Sequence, residues 1–326
     1  MQRAFADNRP FLRAHGIDYP LSGRRGAFGQ HDMIKSFIDG DIAAVDAFFD
    51  ACLDKGLQLD QLLLSAETMC ALQGQALAQW KAYLDRRFGD PHLTVWMFVR
   101  RTSSWVPSAW QSRIRRGLSD TLPLFAFAML DRFLRDKRLL FESFADDWLA
   151  VFPRQSIRIV PMERLIEEDG DLVVSAFRLL LGLDAGSLRD RYRLNGAMTP
   201  GTSEFVRAMR MRHATAEDAA TFAHALSATL GREASLCREI DRLVGPWLAE
   251  LAFPDRNPAF LRMERAAAVR YTDQLERGDG PLIFPDTPPK PAPYVQDHCW
   301  HDAGLRGTIN ELYEAIPDHR RWKARA

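Results

Sequence analysis

Two arginines, a serine, a glutamate and a histidine carry most of the chemistry this sequence offers. In HLTVWMFVRRTSSWVPSAWQ (92–111) an apolar run from Leu93 to Val99 ends abruptly in Arg100 and Arg101. A small polar loop and a proline then lead to Ser108, the expected start of a helix. An arginine fork with a hydroxyl at the end of a buried strand suits a phosphate, because guanidinium offers paired donors and a helix N-terminus adds oriented N–H groups. Both arginines have a plainer use, capping the strand and pairing with nearby carboxylates. LLLSAE (62–67) places Glu67 just beyond a second short apolar run. A carboxylate partly buried at such a strand mouth serves as a general base; its plainer use is to complement the positive end of a following helix. His31 follows a loop rich in glycine and arginine, Ser22 to Gln30, and opens an amphipathic stretch with Met33, Ile34, Phe37 and Ile38. It suits assisting a base, hydrogen-bonding a substrate hydroxyl, or capping. His298, Cys299 and His301 form the one close His/Cys cluster, and without a second ligand pair at a zinc-finger distance no metal is expected there. Arg113, Arg115 and Arg116 read as a solvated helix face, Trp105 and Trp110 as core anchors.

Positioning these residues takes a sizeable fold, and the chain has 326 residues for it. Basic and acidic residues balance at 43 each, which argues against a general nucleic-acid binder and makes any anion site local. Four scattered cysteines, Cys52, Cys70, Cys237 and Cys299, fit a reduced cytoplasmic protein better than a disulfide framework. No apolar run reaches membrane-span length, and the N-terminus lacks a signal-peptide hydrophobic region. Strands are expected at Ile17–Tyr19, Gln61–Ser65, His92–Val99 and Ile157–Val160. Between them the pattern predicts helices at residues 3–15, 41–55, through Trp80 and Tyr83 to Phe88, 106–116, 122–137 and 141–152. Strands separated by helices imply βαβ units and a mainly parallel sheet flanked by helices. The expected organisation is an α/β core over residues 1–200, a helical region over 201–280 packed on it, and a proline-rich segment with a last helix over 281–326. Six prolines between Pro281 and Pro293 make that segment extended.

Five pieces in order resemble the bacterial sulfotransferase family. They are MQRAFADNRPFLRAHGIDYP (1–20), LLLSAE, VRRTSSWVPSAWQSRIRRG (99–117), IRIVPMERLIEEDGDLVVSAFRLLLGLD (157–184) and RLNGAMTPGTSEFVRAMR (193–210). The resemblance implies a P-loop NTPase-like α/β fold and 3′-phosphoadenosine 5′-phosphosulfate as donor, with no metal. It implies that Arg100 and Ser108, eight residues apart, hold the donor's 3′-phosphate. Glu67 would deprotonate an acceptor hydroxyl, that of a carbohydrate, with His31 assisting and Arg24 and Arg25 contacting the acceptor. Family members begin with a strand and a lysine loop of the KTGTTS type ahead of the first helix. Here Met1 falls inside that helix, so the expectation is a longer native protein of which Met1 is an internal methionine, or otherwise an inactive remnant. The absent strand is central in the family, and without it neighbouring strands keep unpaired backbone groups. The expected function is sulfuryl transfer to a hydroxyl. The alternatives are a non-catalytic binding or scaffold protein on the same fold, and another P-loop transferase such as a kinase.

Overall fold

The computed structural model describes residues 1–21, 29–53, 60–186, 198–215, 218–253, 255, 257–276 and 281–316. Arg24 and Arg25 lie outside the described residues. The elements run α1 (Gln2–Asp7), α2 (Arg9–Arg13), β1 (Ile17–Asp18), α3 (His31–Ile38), α4 (Ile42–Leu53), β2 (Gln61–Leu62), α5 (Gly74–Phe88), β3 (Val95–Val99), α6 (Thr102–Ile114), α7 (Leu122–Asp136) and α8 (Leu140–Val151). They continue with β4 (Ile157–Pro161), α9 (Met162–Asp169), α10 (Leu172–Leu181), α11 (Pro200–His213), α12 (Ala219–Leu230), α13 (Ala234–Val244), β5 (Leu248–Leu251), α14 (Pro258–Arg270), β6 (Ala292–Val295) and α15 (Ala303–Ala315). The chain is mostly helical with small sheets, an α/β composition. In place of one expected sheet the described residues form three two-stranded ones: β1–β2 and β3–β4 parallel, β5–β6 antiparallel. The helix expected over residues 3–15 is two, broken at Asn8. Pro10 cannot donate to the Ala6 carbonyl and its ring crowds that oxygen, while the Asn8 side chain donates to the Ala4 carbonyl at 2.8 Å.

The chain divides into two compact units that interleave in sequence, 1–99, 140–194 and 267–285 against 100–139, 195–266 and 286–326. In the first unit both parallel pairs bear on the same two cores. Leu62 of β2 and Leu64 just after it, with Val95 and Met97 of β3, pack on a core of Met33, Phe37, Phe49, Trp80 and Tyr83. Leu63 and Phe98, pointing the other way, pack with Phe5, Tyr19, Val173 and Phe177. This period-2 alternation with apolar residues on both faces is what parallel strands covered on both sides require. Ile159 of β4 accepts from the Glu276 backbone at 2.9 Å, so the edge of β4 away from β3 is covered. Among the described residues no ladder joins β2 to β3, and Val95–Phe98 are only half-buried although both faces of β3 are packed.

Asp18, ending β1, is fully buried and held by two arginines of α2: Arg9 Nε and Nη2 donate to it at 2.6 and 2.8 Å, Arg13 Nε and Nη2 at 2.7 and 3.2 Å. Burial raises the carboxyl, but the hydrogen bonds and charges of Arg9 and Arg13 overcome that and hold it at about 2, below its ordinary 3.8. A depressed folded-state value stabilises the fold above the unfolded value and ceases to do so as pH falls through the folded one. Asp18 is therefore expected to contribute about 2 kcal/mol, present above pH ~4 and lost between pH ~4 and ~2. Urea midpoints measured across that window check this, and an Asp18→Asn chain that loses as much stability there as the parent would overturn it.

In the second unit α11 runs through a core formed with α6, α7, α12, α13 and α15, in which Phe205, Val206 and Met209 meet Val106, Trp110, Phe125, Leu226 and Ile240. On the same helix Glu204 and Arg207 are buried together, with Arg207 Nε 2.9 Å from each Glu204 oxygen. Arg207 also donates to the Ser119 carbonyl at 2.8 Å and to Asp297, and the Trp300 indole donates to Glu204 at 2.9 Å.

Candidate functional site

The fork expected from sequence is split. Arg100, the residue after β3, is exposed and makes no hydrogen bond or ion pair with any described residue. Arg101 is 11% exposed and turned inward, donating to the Thr287 carbonyl at 2.7 Å, with its Nε 3.9 Å from the Asp255 carboxylate. Asp255 also accepts from the Ser103 backbone N–H at 3.3 Å and from the Ser103 hydroxyl. The start of α6 is thus held by a carboxylate 152 residues further along the chain, since Arg101 at the N-cap offers no side-chain acceptor. This displaces the helix start from the expected neighbourhood of Val106 to Thr102, with Pro107 inside the helix at the loss of one backbone hydrogen bond. Ser108 therefore sits in the second turn and not at the start. It is exposed, four residues from exposed Ser104, so these two hydroxyls share one side of α6, while Arg100 precedes the helix. Trp110 is buried, donating to the Asp120 carbonyl at 2.8 Å, and Arg113 lies over the Phe125 ring.

Glu67 and His31 are brought together in the first unit. Gln30, fully buried, joins the segments that follow β1 and β2. Its side chain donates to the Pro20 carbonyl and accepts from the Ser65 N–H, both at 2.8 Å, and its own N–H donates to the Ser65 carbonyl at 3.1 Å. The next residue, His31, opens α3 and places Nδ1 3.3 Å from the Thr68 hydroxyl, beside Glu67 in sequence. Glu67 begins a 3₁₀ turn, Glu67–Ala71, and not the long helix expected; α5 starts only at Gly74. Glu67 is exposed, so the expected partial burial is absent. What remains is an accessible carboxylate beside an imidazole–hydroxyl contact, at the C-terminal end of a parallel strand pair, where it can accept a proton from a hydroxyl group.

Gln30 and Asp255 were not legible as functional positions. Each acts through a partner distant in sequence, and neither stands in a motif. Near the HCWH segment, Cys299 is buried, and burial, with Glu204 and Asp297 adding, pushes its thiol up to about 12. Among the described residues no three His, Cys, Asp or Glu side chains are grouped to hold a metal ion, and no helix is long and apolar enough to cross a membrane. No protein-family model, curated protein or solved structure matches this chain.

Proposed function

We propose that this chain carries a P-loop-type sulfotransferase core, resident in the cytoplasm, that moves a sulfuryl group from 3′-phosphoadenosine 5′-phosphosulfate to a hydroxyl, in the first instance of a carbohydrate. The reading rests above all on Arg100: an exposed guanidinium that has no partner among the described residues, just past the C-terminal end of a parallel strand, with Ser104 and Ser108 exposed on the helix that follows. A guanidinium there, with hydroxyls on the next helix, suits a phosphate monoester. In this reading Arg100 and Ser108 bind the 3′-phosphate, and Glu67 takes the proton of the acceptor hydroxyl. The acceptor oxygen bonds to sulfur as the bond from sulfur to the 5′-phosphate oxygen breaks, releasing adenosine 3′,5′-bisphosphate. The separate strand pairs add support. Both are parallel and pack against the same two cores, as strands of one parallel sheet do.

The test is calorimetric titration with adenosine 3′,5′-bisphosphate. Arg100→Ala is expected to weaken binding by about 10–100-fold, the loss of charge-assisted hydrogen bonds of about 1.5–3 kcal/mol. Unchanged affinity would remove the phosphate site. Nucleotide binding without sulfuryl transfer would favour a non-catalytic binding protein on this fold.

A further inference from the structure

Arg100 and Arg101 are neighbours in sequence and opposite in use. Arg100 projects into solvent; Arg101, 11% exposed, faces an Asp255 carboxylate that is 8% exposed and that also holds Ser103 of α6. We infer that Asp255 is a specificity-determining residue: by engaging Arg101 internally it keeps that guanidinium out of the adjoining phosphate site and leaves the phosphate to Arg100. The inference builds on the phosphate site proposed above and adds what sets its charge.

Between largely desolvated partners, attraction is much stronger than between exposed ones, and separating them leaves a buried charge uncompensated. Arg101 therefore does not turn toward an anion while Asp255 is ionised beside it. The carboxylate also meets the exposed N–H end of α6, so one residue neutralises two sources of positive potential within one helical turn. A site built this way offers one guanidinium and hydroxyls, enough for a phosphate monoester that is also recognised through the rest of its nucleotide, and weak for a free inorganic anion. Were the Asp255 charge absent, Arg101 would keep its bond to the Thr287 carbonyl but its charge would no longer be neutralised, so the site would be more positive and discrimination between nucleotide and bare phosphate would fall.

Asp255→Asn tests this with little change of shape, because the amide oxygen still accepts from Ser103. Titrated with adenosine 3′,5′-bisphosphate, the variant is expected to bind about 3–10-fold more tightly than the parent, and inorganic phosphate should gain at least as much. A merely structural role predicts the opposite sign, since loosening the start of α6 weakens the site. The double variant Asp255→Asn/Arg101→Gln, which removes both charges, is expected to return to within about twofold of the parent. Equal or weaker binding by Asp255→Asn overturns the inference, as does a gain that survives in the double variant or a tenfold loss in it. Arg100→Ala separates the two levels. If it leaves affinity unchanged the phosphate site itself is wrong. If it weakens binding while Asp255→Asn brings no gain, only the role of Asp255 fails.

Discussion

Arg207→Ala is expected to destabilise the protein by about 3–5 kcal/mol, the largest effect of any single substitution considered for this fold. Glu204 and Arg207 face one another from successive turns of α11, both less than 5% exposed. Burial pushes the Glu204 carboxyl up, and the hydrogen bonds from Arg207 and Trp300 pull against it. Without Arg207 the carboxylate keeps the Trp300 indole, and the Ser119 carbonyl loses the donor it now has. The core then contains either an uncompensated charge or a neutral acid with an unsatisfied oxygen. Replacing both partners by apolar residues of similar volume, Glu204→Leu with Arg207→Met, removes the polar groups together and should cost less than either single change. Urea midpoints followed by tryptophan fluorescence measure this, since Trp110 and Trp300 lie in or against the same core. Additive losses in the double variant, or a loss below about 1 kcal/mol for Arg207→Ala, would show that the pair is not coupled as its geometry implies.

Which parts of this arrangement could be read from sequence follows from how local their causes are. The run from Val95 to Val99 is an uninterrupted apolar stretch stopped by charge, its partner Ile157–Pro161 is apolar apart from Arg158 and ends in proline, and they pair in parallel register from Val95↔Ile157 to Val99↔Pro161. The end of α5 at Gly89, in the left-handed conformation, is equally local. By contrast, β5 lay hidden in a region read as continuous helix, because Leu248 and Leu251 are three apart and suit a helical face. Its partner β6 contains Pro293, which counts against a strand except at an edge. Ser108 was expected to open a helix because Pro107 favours a first turn; the true start at Thr102 depends on Asp255, which no local pattern announces. The same holds for the fork. Sequence places Arg100 and Arg101 at a strand end, and only the partners at Asp255 and Thr287 reveal that one of them is engaged internally. The two arginines at the strand end were thus legible as residue types, and the internal engagement of one of them was not.

Under the proposed function, Glu67→Ala is expected to lower sulfuryl transfer by about 10²–10⁴-fold while leaving the affinity for adenosine 3′,5′-bisphosphate within about twofold. The separation of the two effects follows from the roles proposed for each group: Glu67 would accept the acceptor's proton, whereas Arg100 and Ser108 would hold the nucleotide's phosphate. At about 1.4 kcal/mol per decade the loss corresponds to roughly 3–5 kcal/mol of transition-state stabilisation. Glu67→Gln should be as slow as Glu67→Ala, because an amide retains the shape and hydrogen bonding of the side chain but does not take up a proton. His31→Ala should cost less, about tenfold, since His31 reaches the turn through the Thr68 hydroxyl and positions Glu67 without itself receiving the proton in this scheme. Gln30 limits the damage, because its bonds to Pro20 and Ser65 anchor the strand immediately before the turn whatever residue stands at 31. Single-turnover rates with labelled donor, read beside nucleotide binding, distinguish these cases. Parent-like transfer by Glu67→Gln would eliminate Glu67 as the base. Loss of transfer together with loss of nucleotide affinity would instead mean that the turn at Glu67–Ala71 supports the donor site, a role in positioning and not in proton transfer.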